Sequence, residues 1–302
     1  MLPDRALCRF STPCGAAHLG YIRGGQVYDL TALGDPAHAS LAAWLASASG
    51  RAPRAIAALD AAVAGQSPVC GADTLFAASG PLLPPIDAQE VWACGVTYEM
   101  SRSARMRESR EPTIYEKVYD AERPEIFFKA TAQRVVGAGD AVGIREDSSW
   151  DVPEAELTLL ITPALEIIGY TVGNDMSSRS IEGENPLYLP QAKVYDRSCA
   201  LGPVIALAGD IDPLDLAVTC VIERAGEPVF TGETHTRQIH RSLEKLVAYL
   251  GRCNTFPAGA WVMTGTGVVP PDTFTLQQGD VIHITFEGLG TLTNPVVELS
   301  AH

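Results

Sequence analysis

The sequence predicts an α+β chain in which a β-rich roll or barrel follows a smaller N-terminal α+β unit. Three observations carry this expectation. Beyond about residue 86, apolar runs of strand length recur, with turn residues between them. Helical periodicity is confined to a few short segments. A Gly- and Pro-rich stretch, ASGPLLPPIDAQE, separates the two regions near residues 79–86, which places an accessory domain at 1–85 and a catalytic domain at 86–302.

The elements follow in order. HLGYIRGGQVYDL alternates around Gly24-Gly25 and reads as a hairpin. ASLAAWLASASG sets Leu41, Trp44 and Leu45 on one helical face and stops at Gly50. PRAIAALDAAVAG starts a helix at Pro53, aligns Ile56, Leu59 and Val63, and stops at Gly65. RSARMRESRE reads as a charged helix. EIFFKA, AELTLLI, LEIIGYTVGND, LAVTCVIERAG and DVIHITFEG read as strands. SLEKLVAYLG is a helix capped by Ser242, with a stripe of Leu243, Leu246, Val247 and Leu250 that ends at Gly251.

Composition excludes several functions. The 302 residues carry 22 basic and 36 acidic side chains, a formal charge of −14. Such a chain lacks the basic surface that sequence-independent nucleic-acid binding or docking on anionic lipid requires. No apolar run has membrane-spanning length, and the opening MLPDRALCRF lacks the layout of a signal peptide, so a cytoplasmic protein is expected. The seven cysteines are scattered without a CxxC pair and read as reduced. The six histidines show no metal-ligand spacing, and neither a phosphate loop nor a dinucleotide fingerprint is present.

One stretch points to chemistry. In Trp150-Asp151-Val152-Pro153-Glu154-Ala155-Glu156-Leu157, a strand would turn Glu154 and Glu156 to one face while apolar residues take the other. Two carboxylates on a face bound for the interior need a cation or a proton between them. Asp175 ends the next apolar strand and completes a hard-oxygen triad if the two strands are neighbours. That set suits Mg²⁺ or Mn²⁺ and leaves positions open for a substrate. Glu125 and Lys129 share a face of EIFFKA. Lys193 sits among apolar and small residues, where it is either simply paired or, beside a metal in a dry pocket, a proton-transfer group. Ser101, Arg102 and Arg105 open the charged helix; the arginines either bind a substrate carboxylate or face solvent.

Several of these motifs, in this order, resemble the fumarylacetoacetate hydrolase family. They are GVTY (95–98), the E-x-E pair with Asp175 in GND, Lys193 before YDRSCALGP, TGTG (264–267) and QQGDVIHITFEGLGTLTNPV (277–296). The resemblance covers about residues 90–300. It implies a divalent metal, usually Mg²⁺, on Glu154, Glu156 and Asp175. It implies 2-oxo acid substrates, a substrate-contacting Thr266, and a homodimer or homotetramer. Hydrolytic members carry G-x-N-Y-x-x-H-x-x-E, whose His and Glu activate water; here Ser101 and Ala104 take those positions. The strings at 114–131 and 174–203 are similar to a narrower branch that dehydrates 2-keto-3-deoxy pentonates to 2,5-dioxopentanoate in oxidative pentose breakdown. That branch implies catalytic roles for Glu125 and Lys193. Lys193 is expected as the C3 base and Glu125 as the acid for the C4 hydroxyl, with the reverse assignment open. Ser101 and Arg102 are expected to contact substrate. The alternative within the family is an acylpyruvate hydrolase or oxaloacetate decarboxylase; a non-catalytic sugar-acid binding protein is a third reading.

Overall fold

The computed structural model describes residues 2–77, 80–108 and 117–300; the side chains of residues 102, 104, 105, 107 and 108 also lie outside that description. Among the described residues the architecture is α+β, built on a twelve-stranded sheet and a five-stranded sheet. Ten strands of the large sheet run in space Cys70–Gly71, Gln26–Asp29, Ala17–Arg23, Arg5–Ser11, Cys199–Leu207, Ile167–Asp175, Ala155–Ile161, Ala260–Thr266, Glu90–Gly95, Glu125–Thr131, and off this path Leu82–Leu83 pairs with Arg5–Ser11 and Val135–Val136 with Cys199–Leu207. The N-terminal strands therefore share a sheet with the later ones, through pairs such as Ala6 with Ala206. The smaller sheet joins Glu227–His235, Ala217–Arg224, Val281–Phe286, Gly290–Leu299 and Val142–Arg145.

Local sequence explains these elements. The hairpin turns at Gly24 and Gly25, both with positive φ (55° and 70°), the conformation a two-residue turn of this twist requires. Ser40 caps the Leu41–Ala48 helix by accepting from Ala43 N–H, and Ser242 caps Leu243–Leu250 by accepting from Lys245 N–H. Both Ala155–Ile161 and Ala260–Thr266 are buried along their whole length. A strand covered on both faces reads as a nearly continuous apolar run, which is how both segments appear in sequence.

Two cores do the covering. On one face Leu157, Leu159 and Val172 meet Ile282, Ile284, Phe286 and Leu292 of the smaller sheet. On the other, Leu160, Ile205, Trp261 and Met263 pack under Trp44, Leu45 and Leu59 of the N-terminal helices. Because side chains alternate along a strand, Glu156, Thr158 and Leu160 face away from the smaller sheet. No helix of the described residues is long and apolar enough to cross a membrane.

Candidate active site

The register of the large sheet brings distant residues to one of its ends. Gly95 pairs with Glu125, Glu156 with Thr266, and Asp175 with Cys199. The two acidic strands are antiparallel neighbours, with Ala155 opposite Asn174, and Asp175 N–H donates to Glu154 O at 3.0 Å. Glu154 lies just ahead of its strand rather than within it. Even so, ligand oxygens of Glu154, Glu156 and Asp175 all lie within 4.8 Å of one another, and all three residues are buried.

The electrostatics fit a cation. Burial, together with the charges of Asp175 and Glu154, pushes the Glu156 carboxyl well above the usual carboxylate range. Burial also acts to raise Asp175, but Lys129 and Lys193 outweigh it and hold that carboxyl below its ordinary value. A triad of hard oxygens in a buried site, with like charges this close, is the donor set that Mg²⁺ or Mn²⁺ takes.

Basic side chains surround the triad. Lys193, at the end of the short Leu189–Lys193 helix, brings Nζ to 2.8 Å from Asp175 Oδ2, 2.9 Å from Glu154 Oε2 and 2.6 Å from Ser177 Oγ. Its ammonium also lies 5.7 Å from the centre of the Phe127 ring. Lys129 Nζ lies 2.5 Å from Asp175 Oδ1. Arg179 Nη1 contacts Glu154 Oε1 at 2.7 Å and Glu182 Oε2 at 3.1 Å. Gly265 N–H donates to Glu156 Oε2 at 2.6 Å.

A pocket opens over this centre. Glu125, Phe127, Glu154, Asp175, Glu182 and Lys193 line it, with Gly95, Ser101 and Thr266 on its walls. The two expected proton-transfer residues, Glu125 and Lys193, thus enter one pocket with Glu154 and Asp175 of the triad. Glu125 fits because position 95 has no side chain: a Cβ on Gly95 would lie 2.1 Å from Glu125 Oε2. Ser101 Oγ donates to Tyr98 O at 2.9 Å and accepts from Tyr98 N–H at 3.3 Å, a turn-stabilising pair at the start of the Glu99–Glu108 helix. Thr266 Oγ1 donates to Val268 O at 3.1 Å. Arg102 belongs to that helix, but its side chain lies outside the described residues, as does that of Arg105.

Sequence reasoning gave no role to Arg179, Glu182 or Lys129, all at the centre. The signal for Arg179 was its position four residues after Asp175, and for Lys129 the shared face with Glu125 and Phe127. Burial raises the Cys94 thiol well above its ordinary value and pushes Cys199 up to about 12, so neither is an activated nucleophile.

Comparison with known proteins shows what the chain and its fold are similar to. The family described as fumarylacetoacetate (FAA) hydrolase, C-terminal, matches residues 91–297. A probable 2-keto-3-deoxyxylonate dehydratase of Haloferax volcanii is 55% identical over 213 residues, 70% of this chain and 73% of the relative. A 2-dehydro-3-deoxy-D-arabinonate dehydratase of Saccharolobus solfataricus is 46% identical over 217 residues, again 70% and 73% of the two chains. A solved 2-keto-3-deoxy-D-arabinonate dehydratase complexed with magnesium and 2,5-dioxopentanoate is 34% identical, with a TM-score of 0.79, and the match covers 98% of this chain and 99% of that one.

Proposed function

The chain belongs to the fumarylacetoacetate hydrolase family, and from that premise we propose that it is a metal-dependent hydro-lyase acting on 2-keto-3-deoxy-D-arabinonate, the same compound as 2-keto-3-deoxy-D-xylonate. Its product is 2,5-dioxopentanoate, formed in oxidative pentose breakdown. One observation carries the reading: Glu125 and Lys193 line the same pocket as Glu154 and Asp175, with no water-activating histidine at position 101.

The substrate has an acidic C3–H beside its ketone and a hydroxyl on C4. Glu154, Glu156 and Asp175 would hold Mg²⁺, with Mn²⁺ as substitute, and the ion supplies Lewis-acid polarisation of the carboxylate and 2-oxo group. Lys193 takes the C3 proton and Glu125 protonates the departing C4 hydroxyl, which leaves as water. Hydroxide is a poor leaving group, so the acid is as necessary as the base. Loss of a C5 proton and tautomerisation then give the dioxo product, with one water released per substrate. Lys193 must act as the neutral amine to accept this proton; its Nζ is buried and lies 5.7 Å from the Phe127 ring centre. Ser101, Arg102 and Thr266 are the substrate-contacting positions in this reading.

Within the same proposal, residues 1–85 form an accessory domain and 86–302 the catalytic domain of a cytoplasmic homodimer or homotetramer. Ser101 also weighs against the hydrolase alternative, because its hydroxyl is engaged with the Tyr98 backbone. The test is incubation with Mg²⁺ and 2-keto-3-deoxy-D-pentonate, following 2,5-dioxopentanoate by NMR. Absence of that product, with pyruvate released from an acylpyruvate instead, sinks the proposal.

A further inference from the structure

Each carboxylate of the triad has one oxygen engaged by a different protein donor. Arg179 holds Glu154 Oε1, Gly265 N–H holds Glu156 Oε2, and Lys129 holds Asp175 Oδ1. The other oxygens of Glu154 and Asp175 both meet Lys193 Nζ. The two lysines differ in place. Lys193 lines the pocket, whereas Lys129 does not. Lys129 is 0% exposed and rises from the Glu125–Thr131 strand behind Asp175.

Lys129 is fixed by backbone carbonyls on two sides. Its Nζ donates to Met176 O at 3.0 Å and to Lys193 O at 2.5 Å, and it forms an ion pair with Asp175 Oδ1 at 2.5 Å. Two of its three N–H groups are thus committed to backbone carbonyls, which anchors the charge beside Asp175 Oδ1. Turning the side chain away would break both of these hydrogen bonds and leave the buried Asp175 Oδ1 without its counter-charge. Asp175 Oδ1 is therefore paired with a fully buried lysine outside the pocket lining, whereas Oδ2 is paired with the pocket-lining Lys193.

Denticity separates the divalent ions. Ca²⁺ takes six to eight oxygens and readily accepts both oxygens of one carboxylate; Mg²⁺ is smaller and demands a near-ideal octahedron of single oxygens. We propose that Lys129 determines metal specificity: by holding Asp175 Oδ1 it restricts Asp175 to one oxygen and so favours Mg²⁺ over Ca²⁺. This rests on the reading of Glu154, Glu156 and Asp175 as the metal ligands. It assigns to Lys129 a role in the ion's choice, apart from proton transfer.

The test is calorimetric titration of Mg²⁺ and of Ca²⁺ into chelator-treated wild type, Lys129→Met and Lys129→Gln, with folding checked by circular dichroism. Both variants remove the same charge, but only Gln keeps a side-chain N–H for Asp175. The Ca²⁺-to-Mg²⁺ affinity ratio is expected to rise about tenfold in the Met variant, the scale at which such supporting partners act, and to stay near wild type in the Gln variant. An unchanged ratio in the Met variant, or an equal rise in both, overturns the proposal while leaving the metal site intact. A wild type that binds neither ion overturns the metal reading itself. Should the Met variant fail to fold, a crystal structure of the wild type with Ca²⁺ decides: one Asp175 oxygen on the ion supports the role, and two with Lys129 in place refute it.

Discussion

Replacing Gly95 with alanine tests the acid role of Glu125 without touching Glu125 itself. The new Cβ would lie 2.1 Å from Glu125 Oε2 and 2.6 Å from its Cδ. Ordinary contact begins at 3.4 Å, so the carboxylate must retreat by about 1.3 Å. The obstructing atoms are the far end of a flexible, half-buried side chain, and Gly95 does not need a positive φ. The move is therefore cheap for the fold and costly for the chemistry. A misplacement of about 1 Å at a reacting group costs on the order of 10²-fold in rate, or about 2.7 kcal/mol of barrier. The assay is kcat for dehydration, with Mg²⁺ affinity measured alongside by calorimetry. Metal affinity is expected to hold, because the triad comes from other strands. A Gly95→Ala enzyme with wild-type kcat would refute both the acid assignment and the argument for the empty Cβ position.

Three further outcomes are expected. Lys193→Ala should lower kcat by about 10²- to 10⁴-fold, the usual worth of a general base, while calorimetry still shows Mg²⁺ binding. Glu154→Ala should abolish metal-dependent turnover, and full activity at trace Mg²⁺ would remove this residue from the metal set. Asp151 has a buried carboxyl oxygen, Oδ1, without a hydrogen-bond partner, and burial raises its carboxyl from 3.8 to about 6. The folded state thus binds this proton more tightly than the unfolded one, so stability is highest below about pH 4 for this group and declines as pH rises to about 6. The difference is on the order of 2–3 kcal/mol, and Asp151→Asn should flatten that part of the stability–pH curve in chemical denaturation.

The acidic triad was the most legible part of the candidate site, because an E-x-E pair entering an otherwise apolar strand calls for a cation or a proton between its carboxylates. Asp175 was legible only if its strand lay beside the first, and the Ala155–Asn174 register meets that condition. The clamps were harder to see. Lys129 and Lys193 are 64 residues apart, and their strand and helix meet through the Lys129 Nζ to Lys193 O hydrogen bond beside Asp175, a contact that no local pattern encodes. Arg179 resembles any charged residue opening a short helix until its guanidinium is found against Glu154. The secondary elements were easier: the Gly24-Gly25 turn and the Ser242 cap act over three or four residues, and their stereochemistry is written in those residues.

The sheet order also bears on how the molecule comes into being. Ala260–Thr266 runs parallel to Glu90–Gly95, with Met263 beside Ala93, across 170 residues of intervening chain. Thr266 and Gly265, which border the triad, arrive with that pairing. Closing such a span is an entropic cost met before any contact rewards it, and long-range pairings of this kind fold slowly. A growing chain on the ribosome therefore carries all three acids long before it carries their enclosure. The triad's neighbours Gly265 and Thr266 thus join it only once this long-range pairing has closed.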